Sequence, residues 1–184
     1  MCDVMVIESE QPSTRRVVLL LLLAIGAIAA MVVFLRHDPN TLWRIVDTQC
    51  VPNQRQHATP DPCVKVDLQR GFAILKDRVG IAQFMLIPTR RVTGIEDPSL
   101  SRSDASNDWA PAWDASAHLS ATLGRTLPRQ TIALAVNSAW GRTQDQLHIH
   151  IDCVRRDVAA ALHAHRDSLT STWQPFPVPL AGSS

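Results

Sequence analysis

The heptapeptide from Gln146 to Asp152, QLHIHID, sets two imidazoles two residues apart in an alternating polar and apolar run. On an extended strand, side chains two apart share a face and stand about 7 Å from each other, twice the ~3.3 Å rise. Gln146, His148, His150 and Asp152 therefore point one way, and Leu147, Ile149, Ile151 and Cys153 point toward a core. Three readings compete. A neutral imidazole attacks phosphorus well, and an ordinary pKa near ~6.5 leaves it mostly neutral at pH ~7. A pair of histidines also supplies two zinc ligands, but a catalytic zinc takes a third. His57, His118, His163 and His165 show no companion spacing, and Asp152 shares the strand, so no metal is assigned. The third reading is a solvated polar face, because alternation is what any half-buried strand shows. The preceding decapeptide, NSAWGRTQDQ, favours chemistry. Asn137, Arg142, Thr143 and Gln144 present amide, guanidinium and hydroxyl donors to a phosphate oxyanion.

The elements that must position these residues follow from periodicity and punctuation. Strands are predicted over 71–75, 83–87, 131–136 and 147–154, with KDRVG as the turn between the first two. Helices are predicted over 40–51, 108–123 and 157–169. Asn40 and Asn107 or Asp108 stand at N-cap positions, and Gly124 stands where a C-cap glycine belongs. The track Trp109, Trp113, Ala117, Ser120 is read as packing rather than as a base-stacking platform. Short connections between strands favour antiparallel pairs, so the class is α+β, an antiparallel meander sheet with packed helices. No repeat and no glycine-rich phosphate loop is present.

Val17 to Leu35 is an uncharged apolar run of 19 residues. As a helix it spans the ~30 Å hydrocarbon core, and it is longer than the ~7–15-residue apolar region of a cleaved signal peptide. It is read as an uncleaved single-pass anchor over 17–35. Arg15 and Arg16 precede it, which favours a cytoplasmic segment 1–16 and places the remainder outside the inner membrane. Cys50 and Cys63 bracket a proline-rich polar segment with no hydrophobic pattern of its own. A disulfide in an oxidising compartment supplies the missing constraint. Cys2 and Cys153 have no evident partners. With 18 basic against 17 acidic residues, no charge surplus argues for nucleic acid.

NSAWGRTQDQLHIHIDC resembles the histidine-triad superfamily, most closely its CDP-diacylglycerol pyrophosphatase branch. QCVPNQ at Gln49–Gln54, Pro62–Cys63, and AILKD and QFMLIPTRRVTGIEDP between Ala73 and Pro98 carry the same resemblance. It covers about 42–173. It implies a histidine-triad-like domain over 40–173, followed by a proline-rich tail over 174–184. The implied reaction is hydrolysis of CDP-diacylglycerol to CMP and phosphatidate through a nucleotidyl-histidine, without metal or cofactor. The implied partners are the lipid nucleotide and the inner membrane, with no protein partner.

The superfamily pattern has three alternate histidines, the middle one nucleophilic. Counting from Gln144 puts His148 first, His150 in the nucleophile's place and Asp152 third. The other register puts Gln146 first and makes His148 the nucleophile. The first is preferred on the spacing of Asn137, Gly141 and Gln144, with Thr143 and Gln144 on the transferred phosphate and Asn137 orienting the nucleotide. Relatives in this family continue beyond the equivalent of Trp173 with further strands and a cysteine, so the chain is expected to be C-terminally shortened. Two other functions remain open: a non-catalytic, membrane-anchored module that binds nucleotide or lipid headgroup, and a metal-dependent phosphoesterase.

Overall fold

The computed structural model describes residues 14–35, 38–172 and 174–180. Cys2, most of the expected cytoplasmic segment, and Trp173 lie outside the described residues. The chain divides into two units, Met1–Asp38 and Pro39–Ser184.

In the first unit, Thr14–Leu35 forms helix α1. Its described side chains run over 15–26, and the aliphatic ones from Val17 to Ile25 are exposed. Among the described residues, no helix is long and apolar enough to cross a membrane.

The second unit is α+β. Its five strands are β1 (Lys65–Asp67), β2 (Phe72–Lys76), β3 (Phe84–Pro88), β4 (Ile132–Ala135) and β5 (Ile149–Cys153). All neighbours pair antiparallel, in the order β1-β2-β3-β5-β4. β1 is absent from the sequence reading because three residues with one buried side chain, Val66, show no measurable period. The order also corrects the expected meander. β1 to β3 do meander, but β5 inserts between β3 and β4. The long connection from β3 crosses one face of the sheet, and the chain re-enters at the far edge as β4 before β5 fills the gap.

Strand alternation divides the core in two. Phe72, Ile74, Phe84, Leu86, Ile149 and Ile151 pack on one face against helices α4 (Trp109–Asp114) and α5 (Ala117–Leu123), through Ala112, Ala115 and Leu119. These two helices replace the single helix expected over 108–123. The backbone turns at Ala115–Ser116, with Pro111 already inside the first segment. That break shifts the buried side from the tryptophan track to Pro111, Ala112, Ala115 and Leu119. The Asn107 side chain accepts from the backbone N–H groups of Trp109 and Ala110, and Gly124 ends α5 at φ 63°.

The other face carries Ala73, Leu75, Met85 and Ile87 against Leu42, Val46 and Cys50. Leu42 comes from α2 (Thr41–Ile45), and Val46 and Cys50 from a π-helical turn (Val46–Cys50) that runs on into α3 (Val51–His57). The helix thus runs past its expected end at Val51. Pro52 has no N–H to give the preceding turn, and the widened turn before it accommodates that loss. Ala58, at φ 55°, stops it. Cys50 and Cys63 form the expected disulfide, with Cα atoms 5.6 Å apart, though much of the segment between them is helix rather than loop. Cys153 is an exposed free thiol. The last predicted helix is shorter, α6 (Arg156–Ala164), followed by a single 3-10 turn.

Candidate active site

QLHIHID enters β5 from a loop, and Gln146 and His148 precede the strand. Gln146 is wholly buried rather than on a solvated face. Its Oε1 accepts from Val92 N at 3.3 Å, and its Nε2 donates to Pro88 O at 3.1 Å and Arg90 O at 2.9 Å. Leu147 N donates to Val92 O at 2.7 Å. This polar side chain therefore ties the segment leaving β3 to the segment entering β5, and fixes where the histidines begin.

His148 is only 7% exposed, and its Nδ1 lies 2.7 Å from Gln146 O. A carbonyl can only accept, so the proton sits on Nδ1. In the neutral ring the lone pair is then on Nε2. The His148 and His150 rings meet edge-on, centroids 4.8 Å apart and planes at 78°.

His150 pairs across the sheet with Met85 on one side and Ala135 on the other. Its Nδ1 lies 3.2 Å from Gln83 Nε2, and its Nε2 lies 3.4 Å from Asn137 Nδ2. A neutral ring accepts at one nitrogen only, so the two amides cannot both donate to it. Burial pushes the His150 pKa below the ordinary histidine value. Repulsion from His148 adds to this, and the carboxylates of Asp77 and Asp152 oppose it.

A pH dependence of stability follows. Unfolded histidine titrates near ~6.5, and His150 in the fold titrates lower. Between those values the unfolded chain binds more protons, so stability rises with pH. The contribution is complete above ~6.5 and is lost as pH falls through the lowered folded value. His118, also held low by burial and then by Lys65, has the same sign. Urea unfolding across about pH 5 to 8 is expected to show this slope, and His150→Gln to reduce it. An unchanged slope in the variant would contradict the burial argument.

The other residues singled out in the sequence divide. Asn137 comes to His150, and Asp152 is half-buried with Oδ1 accepting from Cys153 N at 2.7 Å. Arg142 and Gln144 are engaged by the protein. Arg142 pairs with Glu96 and Asp145, and a Cβ on Gly94 would stand 2.6 Å from its Nη1, so the guanidinium would have to shift to admit one. Gln144 Oε1 accepts from Leu42 N at the start of α2 at 2.9 Å, and its Nε2 donates to Thr143 O. Thr143 is exposed between them. Lys76 and Asp77 form the hairpin turn as expected, with Lys76 Nζ donating to the Asp77 and Gly80 carbonyls.

Gln83 was missed. Its only trace in the sequence is its position two residues before Met85, on the face that meets His150, and that register exists only in the folded sheet. Among the described residues, no three His, Cys, Asp or Glu side chains converge on a possible metal position.

The family model described as CDP-diacylglycerol pyrophosphatase matches residues 37–184. The chain belongs to this family. A curated CDP-diacylglycerol pyrophosphatase from Yersinia pestis is 42% identical over 169 residues. The match takes in 91% of this chain and 66% of that relative, so the chain spans just under two-thirds of its length. Among solved structures, a HIT family hydrolase from Clostridium thermocellum aligns with 58% of this chain and 91% of its own, at 17% identity and a TM-score of 0.41.

Proposed function

We propose that this chain hydrolyses CDP-diacylglycerol to CMP and phosphatidate, with His148 as nucleophile and His150 as its proton-handling neighbour. The reading is supported by the family and by one observation above the rest: the His148 Nδ1–H is held on the Gln146 carbonyl at 2.7 Å. A nucleophilic histidine needs its lone pair held on the attacking nitrogen, and this bond places it on Nε2. The register counted from Gln144 favours His150 instead. However, the Gln144 amide is engaged at the start of α2, and no backbone carbonyl fixes the His150 tautomer as Gln146 O fixes that of His148.

In the first step His148 Nε2 bonds to the phosphorus that carries cytidine. The anhydride P–O bond breaks, and its electron pair leaves with phosphatidate. In the second step water attacks the same phosphorus, the N–P bond breaks back onto the ring, and CMP departs. His150, neutral near pH ~7, accepts the proton of that water. Asn137 and Gln83 hold the His150 ring from its two sides.

We propose further that residues 17–35 anchor the chain in a bacterial inner membrane, with a cytoplasmic N-terminus and a periplasmic catalytic domain. The apolar run, the arginines before it and the Cys50–Cys63 disulfide support this placement. Purified protein given CDP-diacylglycerol is expected to release CMP and phosphatidate equally with and without EDTA. Loss of release with EDTA favours a metal-dependent phosphoesterase. Binding without release favours a non-catalytic module.

A further inference from the structure

His150 is touched by two loops, and both carry apolar side chains with nothing packed on them. One is the β2–β3 hairpin, whose base supplies Gln83 to His150 Nδ1. Its tip exposes Val79 at 72% and Ile81 at 82%. The other loop leaves β4 and supplies Asn137 to His150 Nε2. Three residues on, Trp140 is 99% exposed. Among the described residues, these are the three most exposed of the large apolar side chains. A scattered exposed leucine calls for no explanation, but here the extremes fall on the two loops at one site.

The hairpin tip also sets Arg78 beside Val79, with the Lys76 amino group folded back onto the turn carbonyls. Asp77 contributes the one acidic side chain of 76–83, and its Oδ1 accepts from Val79 N. The tip is therefore apolar with a net basic balance. Aliphatic, tryptophan and arginine side chains together match the boundary between acyl chains and anionic headgroups, where apolar groups sink and cations meet phosphate.

We infer that the hairpin tip at Val79 and Ile81 and the loop at Trp140 dock on an anionic phospholipid surface and so bring the histidine site onto a lipid-borne substrate. This rests on the proposed hydrolysis of a lipid nucleotide and adds to it the contact that delivers the substrate. The anchor would keep the domain near a bilayer, and the loops give the site its own grip on the headgroup layer.

The test uses the full chain reconstituted in vesicles of phosphatidylcholine and phosphatidylglycerol. The triple variant Val79→Ser, Ile81→Ser, Trp140→Ser is compared with the parent on two substrates: CDP-diacylglycerol in the vesicles, and CDP esterified to glycerol in solution. The apparent KM for the vesicle substrate is expected to rise at least about tenfold, with turnover of the soluble ester unchanged. Equal losses on both substrates, or no loss on either, overturn the docking inference. A readout independent of hydrolysis separates it from the proposed reaction. Brominated acyl chains are expected to quench a fluorescence component that Trp140→Phe removes. Quenching in a chain that hydrolyses neither substrate would sustain docking and defeat the reaction. Hydrolysis without such quenching would do the reverse, and a detergent-stable dimer that the triple variant dissolves would overturn docking on lipid in favour of a second copy.

Discussion

CMP release is expected to fall by at least about 10,000-fold in His148→Ala, with no nucleotidyl adduct left on the protein. The size of this effect follows from what the ring does. Without His148 Nε2, the single displacement by water must replace two easier steps, and no other group in the site has its tautomer fixed by a backbone carbonyl. The companion variant His150→Ala separates the roles. Loss of proton transfer is expected to cost about 100- to 10,000-fold while an adduct still forms and turns over slowly. His148 is nearly buried, so its removal also leaves a cavity. Circular dichroism and thermal unfolding of both variants check that the fold survives. If His150→Ala lost the adduct and His148→Ala kept it, the register counted from Gln144 would be restored.

The second large effect is on stability. Replacing Cys50 and Cys63 by alanine is expected to cost about 3 kcal/mol, the closure term for a loop near 15 residues; the separation here is 13. Both cysteines lie in the core cluster that packs α2 and α3 on the sheet face shared with His150. Opening the bond frees the segment carrying α3 and loosens the start of α2, where Gln144 is bonded. Thermal unfolding in the presence and absence of reductant measures it. The parent is expected to melt lower when reduced, and the double variant to be indifferent to reductant. A parent that melts at the same temperature in both conditions would show that the disulfide adds nothing.

Much of the sheet was legible because its inner strands obey simple rules. FAILK and FMLIP are short apolar runs ended by turn residues, and IHIDC alternates. The Cys50–Cys63 pair could be read from the segment it brackets, and the loop before the histidines does bring Asn137 to His150. What failed was non-local. The insertion of β5 between β3 and β4 leaves no mark on either strand's own residues. Gln146 looked like an exposed polar position on an alternating strand. In the fold it is buried because three backbone groups of the β3 exit converge on one amide. Gln83 needed the strand register before its side chain could be placed against His150. The helix over 108–123 broke because Pro111 and the turn at Ala115–Ser116 rotated its buried side, which a helical wheel drawn through the tryptophans does not show.

The central claim is that phosphorus passes through a covalent bond to His148. It is tested most directly by rapid acid-free quenching of the full chain with CDP-diacylglycerol labelled at the cytidine-bearing phosphorus, followed by peptide mapping. An acid-labile, alkali-stable label is expected on the peptide spanning Gln146–Asp152, placed on His148 by fragmentation. Label on His150, or CMP release with no protein-bound label at any time point, would contradict it.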